Sequence, residues 1–584
     1  MTTASRYLPD KINASVLRPL ALALAGLAAT LSAGCAEPEH FDLLIANGVV
    51  VDGSGAPRYR ADIGVLDGRI ASIGDLSAET AEKILDATGL VVAPGFIDVH
   101  THVEWGLVDP DLSENKGFIT QGVTTCVIGA DGGHSPQSIG RMMDTFERQG
   151  VGTHYAFMVG VNAVRREVIG MTDRAATPDE LQQMRSMVHE AMEMGAVGLS
   201  SGLMYPPGRY ASTGEVVELA KVVAEFDGLF DSHVRNAVPD FEGAYQETIE
   251  IGKRSGARPH PAHYKSVAKR NWGKAKALND YFQAEIDNGV DITVDLYPYD
   301  GAGTAQLVDV FAIPPELEIP VVARQLRDPA LSAETKRELL QDRTRNLVEA
   351  LHDPPRRETI RVATEEGVPG VYSVIATAAE GYDALRIVAS DQNPGLEGRM
   401  IIDIAAERGV TPFDLMVDLI TEEGAATKVS LAASLESDVR EIMRRPWAMI
   451  ASDGSITGLE DGRGHPRSRG TFPRVLGRYV REWGVLTLED AIRKMTGLPA
   501  DYYRFAQRGL LREGYWADIT VFDPETVIDR STWREPSLFS EGIVHVLVEG
   551  EPALENGAMT GALNGRYVRA SARASKATAT AAAD

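Results

Sequence analysis

Cysteine is almost absent: the 584 residues contain two, Cys35 and Cys126. That count excludes a disulfide framework, and any intramolecular bridge would have to consume Cys35. Basic residues run short as well, 58 Lys and Arg against 83 Asp and Glu, for a formal net charge of -25. A surface of that sign disfavours nucleic acid, whose phosphates need a basic partner. Past Leu31 no apolar run approaches the roughly 20 residues that span a bilayer, which argues against a polytopic membrane protein. Internal repeats are missing too. What remains is an ordinary mixture, 44% hydrophobic and 24% charged, in a chain long enough for a large core and two structural units.

The first residues depart from that texture. Arg6, Lys11 and Arg18 precede an apolar run from Leu20 to Leu31, which meets Ser32-Ala33-Gly34-Cys35. A basic segment, an apolar segment and a small-residue cleavage site make an export signal. The pattern resembles a bacterial lipoprotein signal, with Ser32 where leucine is usual and Cys35 as the lipidated first residue of the mature chain. It implies removal of residues 1–34 and an exported lipoprotein on the periplasmic face of a membrane or at the cell surface, held by lipid. An ordinary secretory signal, leaving a soluble secreted or periplasmic protein, is the alternative.

Residues 42–52 and 62–74 read as short strands punctuated by Asn-Gly and Asp-Gly, the signature of hairpins. From Gly95 the texture changes to alternating strand and helix. Eight apolar runs fit core strands: the one ending at His102, then Thr124–Gly129, Tyr155–Gly160, Ala196–Ser200, Leu229–His233, Pro259–His263, Ile292–Tyr297 and Ala448–Asp453. Capping patterns at Thr177-Pro178-Asp179-Glu180, at Ser212 to Glu215 and at Thr487-Leu488-Glu489-Asp490 mark helix starts between them. The expected fold is therefore α/β, a TIM-type (β/α)8 barrel over 95–504 with chemistry at the C-terminal strand ends. Phe311 to Arg445 is too long for a crossover and reads as an inserted helical subdomain. Strand-like runs after residue 505 complete a small β-sandwich formed by 40–94 and 505–568. The Ala-, Ser- and Thr-rich tail, 570–584, reads as disordered.

His100 and His102 are one residue apart at the end of the first barrel strand, so both imidazoles face one side and can chelate a metal. Under the eight-strand reading His233, His263 and Asp453 open onto the same mouth. Four of only 12 histidines at strand ends is a pattern that core packing does not explain. His260, three residues before His263, has the opposite strand parity and is expected to point outward. His189 falls in a helix and reads as structural or exposed, while Cys126 reads as a buried core thiol.

The runs Pro94 to His102, Gly122-Val123-Thr124-Thr125, Gly198 to Tyr205, His233-Val234-Arg235-Asn236, Ser452-Asp453-Gly454, His465-Pro466-Arg467, Gly470 to Arg474, Lys494 to Pro499 and Gly514 to Asp518 resemble the amidohydrolase superfamily, specifically its D-aminoacylase (N-acyl-D-amino-acid deacylase) branch. The resemblance covers roughly 40–568. It implies a zinc centre of one or two ions, with His100, His102 and Asp453 at one position and His233 and His263 at the other. At that second position the family supplies a cysteine, where this chain has Asp131, a harder donor that also admits manganese or iron. By the same resemblance Asp453 is the general acid/base, and Lys265, Tyr205, Tyr297 and Arg467 orient a small N-acyl amino acid. Val103-Glu104 and Val161-Asn162 depart from the branch's usual residues near the substrate. A cyclic-amide or D-residue-peptide hydrolase and a lipid-tethered binding protein without catalysis are the alternatives.

Overall fold

The computed structural model describes residues 40–319, 332–369, 371–376, 381–431, 433–456 and 464–571. The expected signal at 1–34, the lipid site at Cys35 and all but the first two residues of the expected tail at 570–584 lie outside those residues.

Six strands, Phe96–Asp98, Val123–Ile128, His154–Gly160, Gly198–Gly202, Leu229–His233 and Arg258–Pro261, form one curled, wholly parallel sheet in sequence order. Two more, Val294–Leu296 and Ala448–Ile450, pair parallel with each other. Backbone bonds carry the curl across both gaps. Tyr264 N donates to Asp295 O at 2.8 Å, while His102 N donates to Gly454 O and Asp453 N to His100 O, each at 2.8 Å. The strands are buried nearly throughout, as expected of parallel strands covered by helices.

The helix starts follow from their caps. Thr177 accepts the Glu180 N–H while Glu180 reaches back to the Thr177 N–H, opening the helix Pro178–Glu193. Ser212 and Thr487 likewise accept the N–H three residues on and open Thr213–Ala224 and Leu488–Met495. Met184 and Val188 of the first of these helices, Val216 and Leu219 of the second, and Phe157, Leu199 and Phe230 of the strands belong to one buried apolar core.

A nine-stranded sheet is built from both chain ends: Val91–Pro94 pairs antiparallel with Ile519–Phe522 and parallel with His40–Val50. Asp67-Gly68 makes the expected tight turn between Tyr59–Leu66 and Arg69–Gly74. Asn47-Gly48 does not: it is a bulge inside His40–Val50, where the register with the next strand slips between Ile45 and Gly48. Asn47 takes a positive φ there, which an Asn tolerates in a bulge as well as in a turn. Val91–Pro94 runs through Gly95 into the first parallel strand. A Cβ at Gly95 would come within 2.2 Å of Thr124 Oγ1, so only glycine lets the two strands approach at this junction.

Thr304–Gln306, Lys428–Ser430 and Arg386–Ala389 form a separate antiparallel sheet. Together with helices including Ala333–His352 and Pro412–Glu423 it encloses its own core, from Leu307 to Val429. Helix Glu436–Met443 contributes Val439, Ile442 and Met443 to the core shared with the parallel strands.

Candidate metal centre

Six donor side chains meet above the C-terminal strand ends. His102 Nε2 lies 3.2 Å from Asp453 Oδ1, and His100 Nε2 lies 3.9 Å from the same oxygen. Across from them, His233 Nδ1 and His263 Nε2 approach to 2.7 Å. Asp131 sits between the two sets: its Oδ1 is 3.3 Å from His233, 3.6 Å from His263 and 3.8 Å from His100, and its Oδ2 is 3.7 Å from His102. Donor atoms of His100, His102 and Asp453 fall within 4.8 Å of one another, as do those of His100, Asp131 and His263.

The donors fit a divalent cation. Both ring nitrogens of His100 and Oδ1 of Asp131 are buried without a hydrogen-bond partner. Buried polar atoms left unpaired are costly, and imidazole nitrogens with carboxylate oxygens are what zinc and related ions take. Three of the donors are also held in backbone conformations that side chains disfavour: Asp131 at φ 56°, His263 at φ 33° and Asp453 at φ 49°. Each such residue stores on the order of 1–3 kcal/mol, tolerated where the surroundings enforce it.

Those surroundings are specific. Gly129, at φ 87°, bends the chain after the second strand, and a Cβ there would meet Met158 O at 2.4 Å. Ser200 Oγ donates to Gly129 O and accepts from Gly132 N, fixing the turn that presents Asp131.

At this mouth opens a cavity of about 300 Å³, lined by five of the six donors and by Tyr205, Lys265, Tyr297 and Arg467. His100 lies beneath it. Arg467 Nη1 pairs with Asp453 Oδ2 at 2.8 Å and stacks over the Tyr297 ring. Lys265 Nζ donates to His263 O at 2.8 Å and sits 4.9 Å from the centre of the same ring. Tyr205 packs on the His233 ring.

The sequence matches the amidohydrolase family over residues 83–553. The chain belongs to that family. Its branch is that of the D-aminoacylases. It is 34% identical over 540 residues to an N-acyl-D-glutamate deacylase of Alcaligenes xylosoxydans xylosoxydans, covering 88% of this chain and 93% of that protein. It is 32% identical over 554 residues to a D-aminoacylase of the same organism, covering 91% and 98%. Among solved structures, an N-acyl-D-glutamate deacylase from Bordetella bronchiseptica, complexed with zinc and a phosphonate mimic of the tetrahedral intermediate, superposes with a TM-score of 0.68 at 33% identity, covering 91% of this chain and all of that one.

In this amidohydrolase His260 does not point outward. It is fully buried inside the curl, donating from Nε2 to Asp295 Oδ2 at 3.0 Å with Nδ1 2.8 Å from Thr293 Oγ1. The parity count from His263 fails because the strand stops at Pro261 and the chain turns at His263. Asp295 is the site residue that sequence reasoning missed. One of its oxygens accepts the His263 N–H at 2.9 Å, and the other receives His260 and lies 3.6 Å from His100 Nδ1. The signal was present, since Asp295 precedes Tyr297 by two residues in the seventh strand and shares its face. Asp98 was missed as well: its Oδ1 accepts His100 N and Ser452 N, tying the first strand to the loop carrying Asp453, and burial pushes its carboxyl up to about 7. His465 accepts the Arg467 N–H on Nδ1 at 3.0 Å and so seats that arginine. His189 is half exposed on its helix.

The charges of the amidohydrolase centre lean on one another. Burial opposes ionisation of Asp131 and Asp453, yet His233 and His263 around the first, and Arg467 and His102 around the second, hold both carboxyls well below the usual range. Burial, with Lys265 and His233, lowers His263 to about 3, which keeps it a neutral donor. Burial likewise brings the Lys265 ammonium down to about 8.

Proposed function

We propose that this amidohydrolase cleaves the amide bond of N-acyl-D-amino acids, releasing a carboxylate and a D-amino acid. The observation that carries the reading is the position of Asp131, midway between a His100, His102 and Asp453 set and a His233 and His263 set, at the head of a cavity. Those six residues would hold one or two zinc ions. The carboxylate of Asp131 also suits manganese or iron, being harder than a thiolate. A divalent ion bound there supplies Lewis acidity, lowering the pKa of a water and polarising the amide carbonyl.

The side chains do the rest. Asp453 accepts the water proton and returns it to the leaving amine. Arg467, bound to the far oxygen of Asp453, holds the carboxylate in register for both transfers. Lys265 retains N–H groups beyond the one given to His263 O and takes the substrate α-carboxylate, with Tyr297 and Tyr205 closing the cavity around it. Asp453→Asn should lower kcat by about 10³-fold while more than half of the bound metal remains; near-original turnover would remove the proton role from Asp453.

The wider architecture is part of the same reading. The eight parallel strands act as one closed barrel, supported by the hydrogen bonds across both gaps. The nine-stranded sheet is a sandwich domain of 40–94 and 505–568, and the inserted unit roofs the cavity through Tyr372, Val374 and Leu431. Residues 1–34 direct export, and Cys35 carries the lipid that tethers the enzyme to a membrane. Radiolabelled palmitate incorporated by the wild type and by Cys35→Ala to equal extents would overturn the anchor.

A further inference from the structure

We infer that one buried water beneath the metal centre joins His100 to Asp231 and Asp295, which makes Asp231 a positioning residue for the His100 ligand. The inference rests on the metal-centre reading and goes beyond it. Asp231 lies in the strand Leu229–His233, two residues before His233 and on the same face, so it points into the curl one layer below that donor. It is fully buried, and among the described residues neither of its carboxylate oxygens has a hydrogen-bond partner. His100 is as deeply buried. Its Nε2 faces Asp131 and Asp453, while its unpaired Nδ1 faces Asp295 Oδ2 at 3.6 Å, beyond a direct hydrogen bond. Donor atoms of His100, Asp231 and Asp295 fall within 4.8 Å of one another. Leu229, two residues before Asp231 on that face, belongs to an apolar core with Val127, Met158 and Met449, so the three groups stand on a dry floor.

The spacing selects the occupant. Two hydrogen bonds of about 2.8 Å through one water span roughly 4.6 Å at its tetrahedral angle, which suits groups too far apart to bond directly and too close to hold anything larger. The hydrogen count closes as well. With Nε2 turned to a metal, Nδ1 carries the ring proton and donates it to the water. The water's own two protons go to an Asp231 oxygen and to Asp295 Oδ2, which accepts from His260 besides. A cation in the same place would meet the Nδ1 proton, so a metal there would require His100 to give up both ring protons. The water instead fixes the tautomer and the tilt of the ring, as outer partners of metal-bound histidines do. Because Asp231 and His233 leave one strand on one face, the bridge also sets how deep His100 sits relative to the opposite donors.

The test uses the full chain loaded with zinc. Its crystal structure should show a solvent peak within about 3.2 Å of His100 Nδ1, of an Asp231 oxygen and of Asp295 Oδ2. No peak there, or an anomalous signal that marks the peak as zinc, overturns the inference. If the protein takes up no zinc, the metal-centre reading fails, and metal-free crystals judge the water separately by the presence or absence of the same peak. Two variants then probe the positioning role. Asp231→Leu, close in volume but without an acceptor, should weaken the ion bound through His100 by about 10- to 100-fold in chelator competition. Asp231→Asn keeps an acceptor oxygen for the water and should stay within about threefold of the wild type, a rescue that a carboxylate needed only for packing or charge would not show. Wild-type affinity in Asp231→Leu, or a loss above about tenfold in Asp231→Asn, overturns the role. Should Asp231→Leu fail to fold in urea titration, the asparagine variant and the wild-type peak decide by the same limits.

Discussion

Two buried polar clusters occupy opposite ends of the parallel strands, and they are satisfied to very different degrees. At the seam between the parallel strands and the nine-stranded sheet, His154 lies 3.0 Å from Asp518, Arg508 bridges Asp518 and Glu549, and Glu549 takes Arg566 at 3.0 Å. Even the remaining His154 nitrogen accepts the Arg566 N–H, at 3.1 Å. Both ring nitrogens of His154 and all four carboxylate oxygens of Asp518 and Glu549 have partners. At the mouth, by contrast, His100 keeps two unpaired ring nitrogens, Asp131 keeps an unpaired oxygen, and three donors sit at positive φ. A saturated network of charges fixes how two parts pack. An unsaturated, strained one is organised around something that is not protein.

The comparison breaks most visibly under substitution. Asp518→Ala strands Arg508 and His154 in a dry seam and should cost about 3–5 kcal/mol of stability in urea unfolding, with metal affinity unchanged within experimental scatter. A comparable loss of metal would show that the seam and the mouth are one cooperative unit. Asp131→Ala should do the reverse. Removing the carboxylate shared by both donor sets should weaken zinc by more than about 100-fold in chelator competition, beyond what supporting residues usually contribute. In the metal-free protein the loss of stability should be smaller than that of Asp518→Ala, since Asp131 Oδ1 lacks a hydrogen-bond partner while both oxygens of Asp518 are paired. Asp295→Asn comes next. Its carboxylate supports the His100 ring and the His263 backbone together, so affinity should fall by about 10- to 100-fold at both metal positions rather than one. Unequal losses, with one ion held as tightly as before, would separate the two supports.

The sequence revealed the saturated and unsaturated ends unequally. The eight strand positions were legible because buried parallel strands are continuous apolar runs, and five of the six residues that meet at the mouth were legible because they end those runs. Asp131 entered only through the resemblance: it lies in a turn at φ 56°, and nothing in its neighbours' periodicity marks it. His260 was misread because parity holds only while a strand lasts, and this one ends two residues before His263. Asp98, Asp295 and Asp518 look alike in sequence, each a lone acid in an apolar run. What separates them is which partners arrive from other strands, 354 residues away for Ser452 and Asp98 and 364 for His154 and Asp518. The Asn47-Gly48 bulge failed for the same reason, since a turn dipeptide and a bulge dipeptide need the same positive φ and differ only in what pairs alongside.

The mildest probe of the two clusters is pH. Burial alone would raise the Asp518 carboxyl, but Arg508 and His154 outweigh it and hold the group below the ordinary carboxylate range. A group whose folded value is depressed contributes stability that is complete above its unfolded value, near 4, and is lost as pH falls through the folded value. The Asp518 contribution should therefore stay constant from pH 7 to pH 5, measured as the stability difference between wild type and Asp518→Ala in metal-free protein. The mouth should respond within that same window, because histidines bind metal only as neutral imidazoles, and against the effect of burial the surrounding carboxylates raise His100 and His102 above the ordinary imidazole value, so both must give up a proton to the solvent when the ion binds. Zinc affinity should fall by about tenfold per pH unit for each proton taken up on release. An affinity flat between pH 7 and pH 5 would take His100 and His102 out of the donor set, and a shrinking Asp518 difference over the same range would mean that its carboxyl is not held below the ordinary range. Either result would erase the distinction between a closed network of charges and an open one.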